Sequence, residues 1–237
     1  MATLYFMTDG LRMARFKQPT ATKGSQKWVQ ILVNYKKDFF NTQIRKCLDI
    51  PQSEEINWLS PLKKDRYSEY RDKAFLDLLG AKLEAYPLKD FWPKQGPQWD
   101  ALGKSDGGKL ILVEAKSHIP ELMSTFKGNN QASIYKILSS LEETKKHFGS
   151  KTDFDWSKTF YQYTNRLAHV YLLRKNKLDA WLIDVYFVND SEMDGPKTED
   201  EWKGAIRLVH RCLGLRERLL QKWIVDFFFD VASLTKV

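Results

Sequence analysis

The chain of 237 residues has a formal net charge of +8 at pH 7, with 43% hydrophobic and 29% charged residues. This balance excludes wholesale disorder and allows a sizeable hydrophobic core. No apolar stretch approaches the roughly 18 residues of a membrane span, and Met1–Met7 lacks the features of a signal peptide. Two cysteines are too few for a disulfide framework. We therefore expect a cytoplasmic protein with no membrane partner.

The positive charge is concentrated at the start of the chain. Residues 1–50 carry nine basic and three acidic residues, which is +6 of the net +8. Such a segment is typical of a surface that follows phosphate groups, although a solvated helix face has the same composition. We expect a basic N-terminal arm and helix packed on the core at 1–60, followed by a single α/β domain at 61–237.

The first half of the chain alternates between helical and extended patterns. Apolar spacing and turn residues predict an arm at 1–24, helices at 25–48 and 65–79, and strands at 88–92, 98–103 and 109–115. The turn signal Ser105-Asp106-Gly107-Gly108 joins the last two strands into a hairpin. The run Leu110-Ile111-Leu112-Val113 is continuously apolar, which is typical of a strand buried on both faces.

Helical spacing dominates the second half of the chain. It predicts helices at 129–148, 157–174 and 198–213, and strands at 180–188 and 222–231. Thr198 and Glu201 have the spacing of a capping box at the start of the third of these helices. The order of elements indicates an α/β fold, with a mixed central β-sheet flanked by helices on both faces.

Three ionisable residues cluster at the end of the predicted hairpin. Glu114 and Lys116 are two residues apart on one strand, so their side chains share a face, and Asp100 comes from the neighbouring strand. Two converging carboxylates repel each other unless a cation lies between them, and oxygen ligands favour Mg²⁺ or Mn²⁺. The backbone carbonyl of Ala115 is a further candidate ligand. A nearby ammonium group can orient a water molecule for attack on a phosphodiester. The alternative is a plain ion pair at a strand end.

These residues resemble a known family. Asp100 followed by Glu114-Ala115-Lys116, with a helix before and a helix and strand after, is similar to the PD-(D/E)XK nuclease superfamily over roughly residues 65–190. The resemblance implies a restriction-endonuclease-like core, with Mg²⁺ held by Asp100 and Glu114 and a water molecule assisted by Lys116. Glu69, on the predicted helix 65–79, matches the glutamate that many members carry before the sheet. The segment Pro97-Gln98-Trp99-Asp100 departs from the family pattern because its proline is not adjacent to the aspartate.

Four further residues are candidates for substrate binding. Gln131, with Tyr135, matches the Gln-x₃-Tyr pattern of exonuclease-type members, although surface placement or core packing explains it as well. Gln162, Asn165 and Arg166 form a polar stripe with His169 on an otherwise apolar helix. Such a stripe is directed at the site, at phosphate groups or at solvent.

Two main hypotheses follow from the sequence, beside the alternative of another metal-dependent hydrolase that acts on a small phosphorylated or acidic substrate. The first is a metal-dependent nuclease that acts on nucleic acid, with DNA favoured over RNA, using Glu69, Asp100, Glu114 and Lys116. The second is a catalytically inactive module of the same fold that binds nucleic acid or a protein partner. The sequence leaves a homodimer open under both hypotheses.

Overall fold

The computed structural model describes residues 14–235 of the chain. The first part of the predicted arm, including the region examined for a signal peptide, lies outside the described residues. No helix in the described range is long and apolar enough to cross a membrane.

The described chain alternates helices and strands. The strands are β1 (Arg15–Phe16), β2 (Ile56–Ser60), β3 (Glu69–Tyr70), β4 (Ala101–Ser105), β5 (Leu110–Lys116), β6 (Ala180–Val188) and β7 (Ile224–Asp230). The α-helices are α1 (Gly24–Tyr35), α2 (Lys37–Leu48), α3 (Asp72–Leu79), α4 (Leu88–Phe91), α5 (Gln131–His147), α6 (Tyr161–Lys175), α7 (Glu199–Cys212), α8 (Glu217–Leu220) and α9 (Val231–Thr235).

Five strands form a mixed sheet in the order β2-β4-β5-β6-β7. The pairs β2–β4 and β4–β5 are antiparallel, whereas β5–β6 and β6–β7 are parallel. The strands β1 and β3 pair separately as a small antiparallel ribbon. Strand β7 lies at one edge of the five-stranded sheet and β2 at the other.

Helices cover both faces of this sheet, which confirms the predicted fold class. Successive residues of a strand point to opposite faces. Leu110 and Leu112 of β5 therefore pack with α3, α5, α6 and α7, whereas Ile111 and Val113 pack with α1 and α2. Glu114 continues the series of Leu110 and Leu112, so its side chain belongs to the face covered by α6 and α7.

The single helix predicted at 25–48 is two helices, α1 and α2, with a break at Lys36. A straight helix of that length would measure about 36 Å, whereas five strands span only about 20 Å. The break lets Trp28 in α1 and Phe40 in α2 both pack on the same face of the sheet. The prediction was wrong because apolar spacing alone does not show where a helix must turn back over its sheet.

Two other predicted elements differ in type or start. The strand predicted at 88–92 is the single helical turn α4, which ends before Pro93 because a proline disfavours helical conformation in the preceding residue. The helix predicted at 65–79 begins only at Asp72, after Glu69 and Tyr70 have paired with β1. The same pairing gives the described part of the predicted mobile arm an ordered strand at Arg15–Phe16.

One strand of the five-stranded sheet was not predicted. Ile56–Ser60 is too short to show a clear alternation, yet it pairs with β4 and closes the edge of the sheet. The ring of Trp58 stacks on Phe40 of α2, with centroids 4.9 Å apart. Residues 24–60 therefore contribute two helices and one strand to the same core. The division into domains at residue 60 stays a prediction.

Candidate active site

Strand register places Asp100 beside Glu114. Ala101 pairs with Val113 in the antiparallel ladder of β4 and β5, so the preceding Asp100 lies opposite Glu114. The backbone N–H of Asp100 donates to the carbonyl of Val113 at 3.2 Å. Its carboxylate Oδ2 accepts a hydrogen bond of 2.8 Å from the N–H of Ala115. The side chain of Asp100 thus continues the ladder where β4 begins.

Glu114 is buried between two cations. Its Oε1 is paired with the ammonium group of Lys116, and its Oε2 accepts a hydrogen bond of 2.6 Å from Nε of Arg166 on α6. The side chains of Glu114 and Arg166 are each 6% exposed, and that of Lys116 is 11% exposed. The carboxylate is therefore held in a low-dielectric environment by charge pairing on both oxygens.

The pKa values of this pair follow from its surroundings. Burial alone would raise the pKa of Glu114, but Arg166 and Lys116 outweigh burial and lower it below the usual value. Burial alone would lower the pKa of Lys116, but the carboxylates of Glu114 and Asp100 outweigh burial and raise it. Glu114 is therefore ionised and Lys116 is protonated at neutral pH, so Lys116 provides an ammonium group and not a general base.

The pKa of Asp100 shifts in the opposite direction from that of Glu114. Burial raises its pKa well above the usual value, and the negative charges of Glu114 and Glu69 raise it further, against the opposing effect of Lys116. A carboxyl group held in this state gains from a cation placed against it, because the cation removes both the repulsion and the cost of ionisation.

Glu69 lies close enough to act on Asp100, but it does so from strand β3. The prediction that it belongs to a helix is wrong, because Glu69 pairs with Phe16 of β1. The carbonyl of the next residue, Tyr70, accepts a hydrogen bond from the N–H of Trp99, which ties β3 to the segment that precedes Asp100. Glu69 is therefore positioned by the ribbon of β1 and β3.

Three amide side chains hold the carboxylate of Glu69. Gln18 donates to Oε2 and Gln26 to Oε1, each at 3.0 Å, and Gln98 also donates to Oε2. These donors are neutral, so they solvate the charge of Glu69 without cancelling it. None of the three was predicted as a partner, since they come from the N-terminal loop, α1 and the segment before β4.

Arg166 binds protein groups at each of its nitrogens. Besides Glu114, it donates to the carbonyl of Gln98 at 2.8 Å and to Oδ1 of Asn165 at 2.9 Å. Its guanidinium also lies over the ring of Trp99, 5.0 Å from the centroid. Arg166 therefore joins Glu114 to the Gln98-Trp99-Asp100 segment. Both Arg166 and Asn165 are buried, with Arg166 hydrogen-bonded to protein groups, and their predicted contact with substrate stays a prediction.

The remaining predicted substrate-binding residues lie apart. Gln162 is half-buried and lines a small cavity beside Glu114, with a volume of about 20 Å³. Gln131 lies exposed at the start of α5 and does not line that cavity. Its pattern partner Tyr135 is 78% exposed. His169, from the same polar stripe as Arg166, is buried among aromatic rings, where burial lowers its pKa to about 3.

Asp184 on β6 is a further residue of the site that was not predicted. Parallel pairing sets Asp184 directly beside Glu114 on one side and Asp226 of β7 on the other. Asp184 is 3% exposed and lines the same small cavity, and its Oδ2 has no hydrogen-bond partner among residues 14–235. The signal was present in the sequence as a lone acidic residue within the apolar run Ala180–Val188.

The carboxylates of the site meet some of the requirements for binding a small divalent cation. Within residues 14–235, no three His, Cys, Asp or Glu side chains are placed to hold a metal ion together. Magnesium, however, keeps several of its waters and is commonly bound through only one or two carboxylates. Asp100 and Glu114 supply the two carboxylates that this way of binding needs. Burial, and after it the negative charge of Glu114, raise the pKa of Asp100, and a cation would relieve both effects.

Comparisons with known proteins give no family for the chain. No protein-family model, no curated protein and no solved structure matches it.

Proposed function

We propose that this protein is a metal-dependent nuclease that hydrolyses phosphodiester bonds of nucleic acid, as the resemblance to the PD-(D/E)XK superfamily implies. The single observation that carries the proposal is the row of Asp100 and Glu114 on adjacent strands, with the protonated Lys116 on the same face. Two carboxylates and an ammonium group at one buried strand end are costly to maintain, so a chemical role is the simplest account.

Each group has a part in the proposed reaction. Asp100 and Glu114 would hold Mg²⁺ or Mn²⁺, which when bound polarises the phosphate and lowers the pKa of a water molecule. Ala115 directs its N–H toward the β4 side, and in an extended strand its carbonyl points to the same side, where it would add a ligand. Lys116 would orient the attacking water and stabilise charge on the phosphate. Glu69 would supply a further acceptor for that water.

The test is a cleavage assay on end-labelled single-stranded and duplex DNA and RNA, with Mg²⁺, Mn²⁺ or EDTA. We expect metal-dependent cleavage that falls by at least 100-fold in Asp100→Asn, a loss in the range of a removed catalytic group. The matched control is Asp90→Asn, since Asp90 is an exposed aspartate on α4. Cleavage that is equal in Asp100→Asn and Asp90→Asn would show that another site, or a contaminant, is responsible.

A second function is favoured by one specific observation. Both oxygens of Glu114 are already engaged, by Lys116 and Arg166, in a nearly closed site. An inactive module that binds nucleic acid without cutting it would have this arrangement. It predicts salt-dependent binding without turnover in any metal, and binding that is indifferent to Asp100→Asn.

A further inference from the structure

A second and larger cavity lies beside the free edge of β7. It has a volume of about 520 Å³, which is within the usual range for small-molecule sites. It is a half-open cleft lined mainly by β7, α7 and α8, with Tyr163 of α6 and Cys47 of α2 completing the lining. Apolar side chains form part of its wall, among them Ile206, Leu220 and the half-buried ring of Phe228. The cavity can therefore receive a flat, partly apolar group.

This cavity and the one beside Glu114 share a lining residue. Tyr163 lines both cavities, and its hydroxyl lies 2.8 Å from Nε2 of His210 on α7. Val209 lines the small cavity and the adjacent His210 lines the large one. The large cavity therefore lies next to the small cavity of the candidate active site.

Basic residues follow the rim of the large cavity. Lys203 and Arg207 line it, and Arg211 is one turn further along α7 on the same stripe. Between residues 207 and 222 the chain carries one acidic and five basic residues, which are Arg207, Arg211, Arg216, Arg218 and Lys222. All five are exposed, and none forms an ion pair with another described residue. Arginine side chains in this state suit phosphate groups.

The acidic groups of this region lie in the wall of the large cavity. Asp226 on β7 and Glu217 on α8 both line the cavity, next to its apolar wall. Carboxylates accept hydrogen bonds from amino and hydroxyl groups. The cavity thus offers acceptors and an apolar wall, whereas its rim offers cations, which is the complement of a nucleoside with phosphates on either side.

We propose that this cavity binds one unpaired nucleotide of a single-stranded nucleic acid, with its base and sugar inside and the adjoining phosphates on Arg207 and Arg211. A base within a duplex is stacked and paired, so it could not enter. The proposal rests on the proposed function only for the choice of nucleic acid as the polyanion.

The test measures binding by fluorescence anisotropy with labelled 12-nucleotide single strands and the matching duplex, in EDTA so that no metal-dependent cleavage occurs. The variant is Arg207→Glu/Arg211→Glu. Its matched control is Lys64→Glu/Lys82→Glu, two exposed lysines that do not line the cavity. We expect the arginine variant to bind the single strand at least 10-fold more weakly at about 100 mM salt. Its plot of log K against log salt should be shallower by about 1.4, the loss of two phosphate contacts.

A second variant tests the cavity itself. Gln221→Trp changes an exposed residue of the cavity wall to one that would fill it. We expect weaker binding of the single strand and unchanged binding of the duplex. Equal effects of both charge reversals, or an unchanged single-strand affinity in Gln221→Trp, would overturn the proposal. Competition by poly-glutamate as strong as that by the single strand would also overturn it, in favour of an acidic protein partner.

The outcomes separate this proposal from the proposed nuclease activity. If the variants weaken binding as expected but no metal supports cleavage, the nuclease proposal fails and the nucleotide site stands. If cleavage occurs while binding ignores both variants, the nuclease proposal stands and the nucleotide site is wrong.

Discussion

Arg166 is the residue on which the candidate site depends most for its shape. It pairs with Glu114 and also holds the carbonyl of Gln98, so it joins strand β5 to the segment that carries Asp100. A salt bridge this deeply buried is costly to break, because removal of Arg166 leaves Oε2 of Glu114 buried without its partner and Lys116 to balance that carboxylate alone.

We therefore predict that Arg166→Met lowers the free energy of unfolding by about 3–5 kcal/mol, measured by urea denaturation. Arg207→Met is the matched control, since Arg207 is exposed and without an ion pair, and it should change stability by less than about 0.5 kcal/mol. The double variant Arg166→Met/Glu114→Gln should recover part of the loss. A single variant as stable as the parent would show that Arg166 does not hold the site together.

For Asp184 we predict the reverse of Arg166, namely that its replacement raises the free energy of unfolding. Burial raises its pKa well above the usual value, with Asp226 and Glu114 adding to the shift. Replacing a buried, unsatisfied polar group by an apolar one of similar shape is often stabilising, so Asp184→Leu should gain about 1–3 kcal/mol near neutral pH.

The pH dependence of that gain has a definite sign. A carboxyl whose pKa is raised by folding binds more protons in the folded state, so its contribution to stability falls as pH rises from the usual pKa through the raised one. The advantage of Asp184→Leu over the parent should therefore grow with pH across that range, in thermal melts at a series of pH values. An advantage that shrinks as pH rises would mean that Asp184 is satisfied and ionised in the folded protein.

At the scale of elements, the cap of α7 is a direct test of a sequence-level prediction. Thr198 accepts a hydrogen bond of 3.3 Å from the N–H of Glu201, as the capping box predicts. Thr198→Ala should cost about 1 kcal/mol in urea denaturation. Thr42→Ala, at an exposed position within α2, should be neutral or slightly stabilising because alanine favours helix interiors. Equal effects would show that the cap has no specific role.

Elements with a strong local signal were predicted well. The apolar run of β6 has the predicted bounds, and the hairpin of β4 and β5 follows its turn signal. Elements that form only by pairing with distant segments of the chain were not predicted well. Glu69 was assigned to a helix because local spacing allowed it, but its strand exists only because Arg15 and Phe16 pair with it from more than fifty residues away. The same reason explains the missed strand β2.

The candidate site shows the same difference between residues placed by local structure and residues placed by distant contacts. Asp100, Glu114 and Lys116 were predicted together because a hairpin fixes their register locally. Arg166 was found as a polar residue on an apolar helix, but its partner was not, since the sequence does not show which strand that helix covers. The amide donors of Glu69 are likewise set by chain segments that meet only in the folded state.

For the whole molecule, the two sheet faces separate the basic regions. Helices α1 and α2, which carry much of the basic N-terminal charge, cover the face opposite Glu114. The arginines of α7 and α8 lie with the face that holds the candidate site. The net charge of +8 thus includes a second basic region that composition of the N-terminal segment did not reveal.

The most direct test of the central claim is a crystal grown with Mn²⁺ and examined by anomalous scattering. The proposed function predicts a manganese peak within about 2.5 Å of carboxylate oxygens of both Asp100 and Glu114, and no such peak in Asp100→Asn. A well-ordered site in which Mn²⁺ is absent, or bound only elsewhere on the protein, would contradict the claim that this row of carboxylates is a metal-dependent active site.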